Sequence, residues 1–245
     1  GTSVAYSPDG NYIAAGLSND AINIWYADNF TSVNGEISVD VGSGDYVNDV
    51  EFSPDSQTLA VTIGRSGNSG TNGQTKIINI SSGLQEASYN PSGEDRFYDA
   101  AYSPDGSMLA LGGNGDWFIV NTSSGAQAYS NSGPAAPVYG IAWSPDGNYI
   151  GLCIGYDNGN SKVQMMKVNG NGWVQQWIKT HTTSCSSVDF SPDGSQVVFG
   201  MGWYQTSGST AFVYNTDSGS SVDSFDFRPS QGCNSWGGGN PCGSF

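Results

Sequence analysis

Basic residues are scarce in this chain. Only 7 of its 245 residues are Lys or Arg, against 22 Asp or Glu, for a formal net charge of −15. Contacts to a nucleic-acid backbone are made by Lys and Arg, so no nucleic-acid partner is expected. Histidine is scarcer still, His181 being the only one. A Ser-His-Asp arrangement would have to use it, and no GxSxG phrase accompanies any serine. One histidine and no CxxC pair leave no zinc site to expect, and no cofactor motif is present. Long apolar runs are missing, so no membrane-inserted helix is expected, and Gly1-Thr2-Ser3-Val4 does not read as a signal peptide. Helical periodicity is absent throughout.

What is plentiful is Gly (35 residues), Ser, Asn and Thr, while only 12% of residues are charged. That composition reads as a soluble, mildly acidic secreted surface more than as a halophilic one. The four cysteines, Cys153, Cys185, Cys233 and Cys242, form an even set, which suits disulfides in an oxidising compartment. Three Asn-x-Ser/Thr triplets, at Asn29, Asn79 and Asn121, are candidate glycosylation sites.

One phrase organises the rest. Ser-Pro-Asp-Gly begins at Ser7, Ser103, Ser144 and Ser191, and a Ser-Pro-Asp-Ser variant begins at Ser53. The steps between the serines are 46, 50, 41 and 47 residues, which marks a repeat architecture. The phrase is a turn: proline presets φ, aspartate bonds nearby backbone, and glycine accepts positive φ. An alternating apolar strand enters each turn and an Ala/Leu/Gly-rich strand leaves it. A third strand, a short Gly or Asn turn and a fourth strand follow. Four short strands per repeat, each too small to bury its faces alone, predict sheets stacked around an axis. The aromatics just before the turn, Tyr6, Phe52, Tyr102, Trp143 and Phe190, are expected to pack between sheets.

The apolar-x-aromatic step, the Ser-Pro-Asp-Gly turn, the Ala/Leu/Gly strand and the Ile22-Asn23-Ile24-Trp25 strand together resemble the β-propeller repeats of the WD-repeat and TolB-type families. The resemblance spans roughly residues 1 to 227. It implies an all-β propeller of four-stranded antiparallel blades at about 1–41, 47–89, 97–129, 138–178 and 185–227, followed by a Gly-rich tail at 228–245. Five blades can close a ring by themselves or form part of a larger one.

The strand order puts the Ser-Pro-Asp-Gly turns and the third-to-fourth-strand turns on one face, together with all three triplet asparagines. Longer connections fall on the opposite face, where binding residues concentrate. Tyr46, Arg65, Trp117, Tyr156, Trp203 and Tyr204 are expected to form an aromatic rim there. Asp45, Glu94, Asp95, Asp116 and Asp157 share that face, and a catalytic carboxylate pair would have to come from them. The strand layout predicts a Cys153–Cys185 disulfide joining the fourth and fifth blades, with Cys233 and Cys242 bridged in the tail. The functional expectation is a non-enzymatic, extracellular or cell-surface propeller without cofactor or metal. It would serve as a structural or protein-interaction module, with protein partners or copies of itself, and could be a subunit of a surface or fibrous assembly. The alternatives are a carbohydrate-binding or carbohydrate-active propeller using the acidic, aromatic loop face, and an intracellular WD-repeat scaffold.

Overall fold

The structure is a computed structural model that describes residues 3–17, 21–39, 45–65, 73–91, 95–131, 136–157, 160–170, 172–202 and 210–226. The side chains of Asp45, Arg65, Tyr156, Asp157 and Asp226 lie outside that description. Among the described residues twenty strands form five four-stranded sheets, each running in sequence order, and there is no α-helix. Blade 1 comprises β1 (Val4–Tyr6), β2 (Tyr12–Gly16), β3 (Ala21–Tyr26) and β4 (Ser32–Ser38). Blade 2 comprises β5 (Asp45–Phe52), β6 (Thr58–Arg65), β7 (Gln74–Asn79) and β8 (Gln85–Tyr89). Blade 3 has β9 (Phe97–Tyr102), β10 (Met108–Gly113), β11 (Trp117–Asn121) and β12 (Gln127–Asn131). Blade 4 has β13 (Val138–Trp143), β14 (Tyr149–Asp157), β15 (Asn160–Asn169) and β16 (Gly172–His181). Blade 5 has β17 (Cys185–Phe190), β18 (Gln196–Met201), β19 (Thr210–Asn215) and β20 (Ser221–Asp226). The predicted tail at 228–245, with Cys233 and Cys242, lies outside the described residues.

The Ser-Pro-Asp-Gly phrase does at each blade what its residue types dictate. The serine hydroxyl donates to the aspartate carboxylate two residues on, at 2.6 Å in Ser7–Asp9 and 2.5 Å in Ser144–Asp146. The same hydroxyl accepts the N–H that opens the second strand, at 2.9 Å from both Tyr12 and Tyr149. The aspartate also accepts the N–H two residues further along, from Asn11, Gln57, Ser107, Asn148 and Ser195 in the five turns. The fourth turn position has φ between 58° and 74°, which glycine adopts without strain. Blade 2 places Ser56 there, and its buried hydroxyl accepts the Asp9 N–H of blade 1 at 3.2 Å, a bond that glycine could not make.

Both faces of each inner sheet are apolar, so the core is divided among the gaps between blades. Ala14, Ile22 and Ile24 of blade 1 meet Val50, Leu59, Val61 and Ile78 of blade 2. Ala60, Ile77 and Tyr89 face Phe97, Leu109, Leu111 and Phe118. Trp117, Ile119 and Ala110 face Ile141, Ile150 and Leu152. Val163, Met165 and Trp177 face Phe190, Val197 and Phe199. Polar links stitch the outer rim: an outer-strand side chain donates to the carbonyl at the third-to-fourth-strand turn of the next blade. Asn34 reaches Ile80 (2.6 Å), Tyr89 reaches Thr122 (2.7 Å) and Trp177 reaches Thr216 (2.7 Å). Of the pre-turn aromatics, Phe52, Tyr102 and Phe190 are buried and Trp143 is half-buried, whereas Tyr6 is 67% exposed.

Ser144 is fully buried and holds two of the turn's bonds at once. Ser144→Ala is expected to lower unfolding stability by about 1.5–3 kcal/mol, the range for hydrogen bonds to charged groups, read as a fall in urea midpoint at unchanged m-value. A midpoint equal to wild type would show that the turn does not depend on the serine.

Candidate functional site

The first strand of each blade is innermost, because successive first strands β1, β5, β9, β13 and β17 pack on one another. Blades 2 to 5 share an irregularity there. The ladder with the second strand skips one residue, at Asn48, Tyr98, Tyr139 and Ser186, each five positions before the turn serine. Such a bulge frees its extra side chain from the alternation of the strand and re-aims it. In blades 3 and 4 that side chain is a tyrosine, and the two rings meet edge to face with centroids 4.8 Å apart.

Arg96 lies beside them, with its guanidinium carbon 5.9 Å from the Tyr98 centroid and its Nη1 donating to the Tyr98 hydroxyl at 3.4 Å. The Tyr98 hydroxyl donates to Asn114 Oδ1 (3.1 Å), and Asn114 Nδ2 donates to Asp95 (3.3 Å). Tyr46 stands close enough to act electrostatically on Arg96, Tyr98 and Tyr139. Burial depresses the Arg96 pKa, but the bond to Tyr98 and the charge interactions with Tyr98, Tyr46 and Asp95 together hold the guanidinium above its ordinary value. Burial pushes the Tyr98 and Tyr139 phenols up, so both remain neutral hydrogen-bonding groups. Close approach depends on glycine: a Cβ at Gly73 would stand 2.7 Å from the Arg96 backbone, and one at Gly155 would stand 2.6 Å from the Tyr139 ring. The result is a permanently charged cation among half-buried aromatic rings on the long-loop face.

One position closer to the turn than the bulges of blades 2 and 3, and at the same distance from the turn serine in blade 1, an inward side chain ties its blade to the next. Ser3 accepts the Val50 N–H (3.4 Å), Asp49 accepts that of Ala100 (3.4 Å) and Asp99 accepts that of Ile141 (2.7 Å). Ser3 also donates to Asp49 at 2.8 Å. Burial and the neighbouring Asp49 charge keep the Asp99 carboxyl well above its ordinary range, and burial raises Asp49 as well. Glu51, nearby, is pushed up to about 8 by burial and by Asp49 and Asp189. In blade 4 the linking position is Gly140, where a Cβ would stand 3.0 Å from that of Cys153. The link is there made covalently, by the Cys153–Cys185 disulfide between β14 and β17.

Of the expected aromatic rim, Tyr46 lies on β5 at this site, half-buried. Trp117 does not belong to it. The residue is 2% exposed and packs between blades 3 and 4 against Tyr129 (5.0 Å) and Trp173 (6.3 Å), because the inward register of β11 turns it away from the loop face. Trp203 and Tyr204 lie outside the described residues, as do the side chains of Arg65 and Tyr156. Sequence reasoning missed Arg96, Tyr98 and Tyr139. The available signal was the shared position of the two tyrosines, five residues before the turn serine. His181 shares one hydrogen bond with the Tyr214 hydroxyl (3.0 Å) and packs at a 40° tilt on Phe212 (4.4 Å), which is a packing role. Among the described residues no group of three His, Cys, Asp or Glu could hold a metal ion.

The triplet asparagines all sit at third-to-fourth-strand turns. Asn79 Oδ1 accepts from the Ser81 hydroxyl (2.9 Å) and the Ser82 N–H (3.0 Å), and Asn121 accepts the Ser123 and Ser124 N–H groups. Asn215, which is not in an Asn-x-Ser/Thr triplet, does the same with Ser218. Turn construction therefore accounts for this asparagine in its own right.

Five consecutive four-stranded antiparallel sheets around a common axis define a β-propeller repeat protein. Known proteins agree. The family described as "WD domain, G-beta repeat" matches residues 2–26, 125–163 and 172–215. An uncharacterized WD repeat-containing protein of Synechocystis sp. is 27% identical over 152 residues, which is 62% of this chain and 40% of that protein. A chain in the crystal structure of the mitotic checkpoint complex superposes with a TM-score of 0.74 at 19% identity, over 92% of this chain and 65% of that one. The chain thus spans less than two thirds of the length of either. The fold is that of a β-propeller, and the matched segments are similar to WD-type repeats.

The raised carboxyls set a pH dependence. Glu51 binds its proton more tightly folded than unfolded, so its contribution to stability is complete below about pH 4.5 and is lost as pH rises towards 8. Glu51→Gln should therefore melt a few degrees above wild type at pH 8.5 and level with it at pH 4.5, by thermal scans across the range. Equal melting temperatures at both pH values would refute the assignment.

Proposed function

We propose that this protein is a non-enzymatic interaction module that docks protein partners on the long-loop face, at the mouth formed by blades 2 to 4, in an extracellular or cell-surface setting. The observation that carries the reading is the convergence of Tyr46, Arg96, Tyr98 and Tyr139 from three consecutive blades. Tyr and Arg supply a disproportionate share of the energy at protein interfaces, because they offer large rigid faces together with hydrogen-bonding ends. In a chain of net charge −15, a guanidinium fixed on a tyrosine ring is a local attractor for a partner's carboxylates or backbone carbonyls. Copies of the protein itself are among the partners this reading allows, as in a surface or fibrous assembly.

The oxidising setting is supported by the Cys153–Cys185 disulfide. Asn29 is exposed, and Asn79 and Asn121 are half-buried, all on turns of the opposite face, where a glycan would leave the docking mouth clear. The likeness to a WD repeat-containing protein is compatible with the other setting, an intracellular scaffold with reduced cysteines. A carbohydrate would compete for the same rings.

Arg96→Ala and Tyr98→Ala are each expected to weaken binding of partners cross-linked to the wild-type protein by about tenfold or more, whereas Trp173→Ala on the opposite face leaves it unchanged. Binding lost with Trp173→Ala and kept with Arg96→Ala would move the site to the other face, and binding of glycans alone would favour the carbohydrate reading. Alkylation and intact mass of the non-reduced protein from its source separate the two settings: blocked thiols and added glycan mass are expected, and free thiols with the bare polypeptide mass would favour the intracellular one.

A further inference from the structure

The rim between blades 3 and 4 is open where the rim between blades 4 and 5 is shut. On β16, Trp177 pairs across the sheet with Met165, and its indole N–H donates to the carbonyl of Thr216. Thr216 is the residue whose own N–H bonds Ser195 in the turn of blade 5. The corresponding residues one blade earlier are Tyr129, paired with Ile119, and Val168, whose N–H bonds Asn148. Trp177 is buried, but Tyr129 is half-buried and Val168 is 37% exposed, and both line a groove of about 460 Å³. Trp143 and Trp173 line it with them, edge to face with centroids 5.2 Å apart. The Trp143 ring is fixed by its indole N–H, which donates to the Ala101 carbonyl at 3.0 Å. Trp117 backs the other rings, 5.0 Å from Tyr129 and 6.3 Å from Trp173. The aromatic lining is therefore held in place without a ligand.

The groove continues beyond the tryptophans. Met108, Trp143 and Gly147 also line a second cavity, of about 280 Å³, which adds Asp105 and Asp146 from two Ser-Pro-Asp-Gly turns. Asp105 in turn lines a third, of about 480 Å³, between blades 2 and 3, together with Asp55, Glu86, Tyr89 and Tyr102. One strip thus runs along the turn face, apolar at its blade 4 end and acidic over the rest. Among the described residues its lining carries four carboxylates and no Lys or Arg. Lys167, beside Val168, is turned to the other side of its sheet, where it pairs with Asp217 of blade 5 at 3.5 Å. Bonds from Ser103 and Ser107 hold the Asp105 carboxyl below its ordinary pKa. Burial raises that of Asp146, but bonds from Ser144, Asn148 and its own backbone together bring it below the ordinary value. Both are charged at neutral pH. The bonds from Ser103 and Ser107 to Asp105 all fall on Oδ1, so the turn leaves Oδ2 to other donors.

We propose that this strip is a second docking site, for a segment of a partner protein that carries Lys or Arg within a few residues of a bulky apolar side chain. Charge complementarity selects the basic part, since the strip offers carboxylates in succession and no cation of its own. The apolar part is selected by the Tyr129, Trp143 and Trp173 rings, which present large surfaces already fixed for contact. Trp143 borders both the apolar groove and the cavity with Asp105 and Asp146, so a guanidinium or ammonium can lie on its ring while bonding a carboxylate. The occupant is a peptide because the groove has no lid. Its aromatic walls are all half-exposed, and a small molecule there would keep much of its surface in water, whereas a peptide anchors single side chains and leaves its backbone solvated. The site is separate from the long-loop mouth and opposite to it in charge: Arg96 there attracts carboxylates, and this strip attracts cations.

The test is selection of a random peptide library, displayed on phage, against the immobilised full chain, with affinities then measured for the selected peptides made synthetically. The peptides enriched on wild type over Trp173→Ala should combine Lys or Arg with Phe, Trp or Leu. Their affinity should fall about tenfold or more in Trp173→Ala, and likewise when Asp105→Asn and Asp146→Asn are combined. It should also fall when NaCl is raised from about 0.05 to 0.5 M, because exposed carboxylates are screened by salt. Arg96→Ala, on the opposite face, should leave it unchanged. Where loss of Trp173 unfolds the protein, Val168→Lys serves in its place, since it sets a cation in the groove from an exposed position. A selection that returns only acidic peptides, or none enriched over the groove variants, overturns the proposal. Peptides without an apolar anchor, or peptides released by Arg96→Ala and kept by Val168→Lys, overturn it equally, the last by placing the ligand in the long-loop mouth.

Discussion

Every blade is a sheet with two apolar faces and no means of burying either alone, and the rest of the molecule follows from that constraint. A four-stranded sheet of this size is stable only when sandwiched, so the core is not one volume but a series of gaps, each filled from both sides. The side chains that fill them are matched by position: a small residue on the second strand of one blade admits the bulk of the next. Ala60 facing Leu109 and Phe118 is one case. Gly151, where a Cβ would stand 2.8 Å from Val188, is a tighter one.

Apolar burial has no direction, and the register of one blade on the next is set by polar links at both ends of the gap. Near the axis, Ser3, Asp49 and Asp99 of blades 1 to 3 each accept an N–H from the neighbouring first strand. At the rim, an outer-strand donor finds the neighbour's turn carbonyl. Where blade 4 carries Gly140, the axial link is replaced by the disulfide to Cys185. The carboxyls at the axis serve this stitching and carry an electrostatic penalty for it, seen in the raised Asp49 and Asp99. The same bulges that place these linkers also turn Tyr98 and Tyr139 towards the loop face, so the candidate docking mouth is a by-product of how the blades are joined.

The repeat was legible because a turn is a local object. Ser-Pro-Asp-Gly contains its own hydrogen-bond partners within six residues, and the alternation on either side declares which strand faces enter the core. The disulfide was legible for a related reason, since two strand ends were assigned to one face. Trp117 was misplaced because its position at the start of a strand suggested a rim residue, and only the inward register of β11 buried it. Arg96, Tyr98 and Tyr139 were not seen because a bulge has no residue signature in this chain: asparagine, tyrosine and serine all occupy it.

The sequence by itself determined the all-β class, the five repeats, the turn chemistry and the face on which each loop lies, because all of these depend on contacts within about fifty residues. Tertiary structure alone decided which side chains meet across blades. It gathered three tyrosines and one arginine from distant segments, lifted the carboxyls of Asp99 and Glu51 by burying them near Asp49, and left Val4 and Tyr6 bare where their counterparts are buried. Burial and proximity belong to pairs of surfaces, and a repeat does not record whether its neighbour is present.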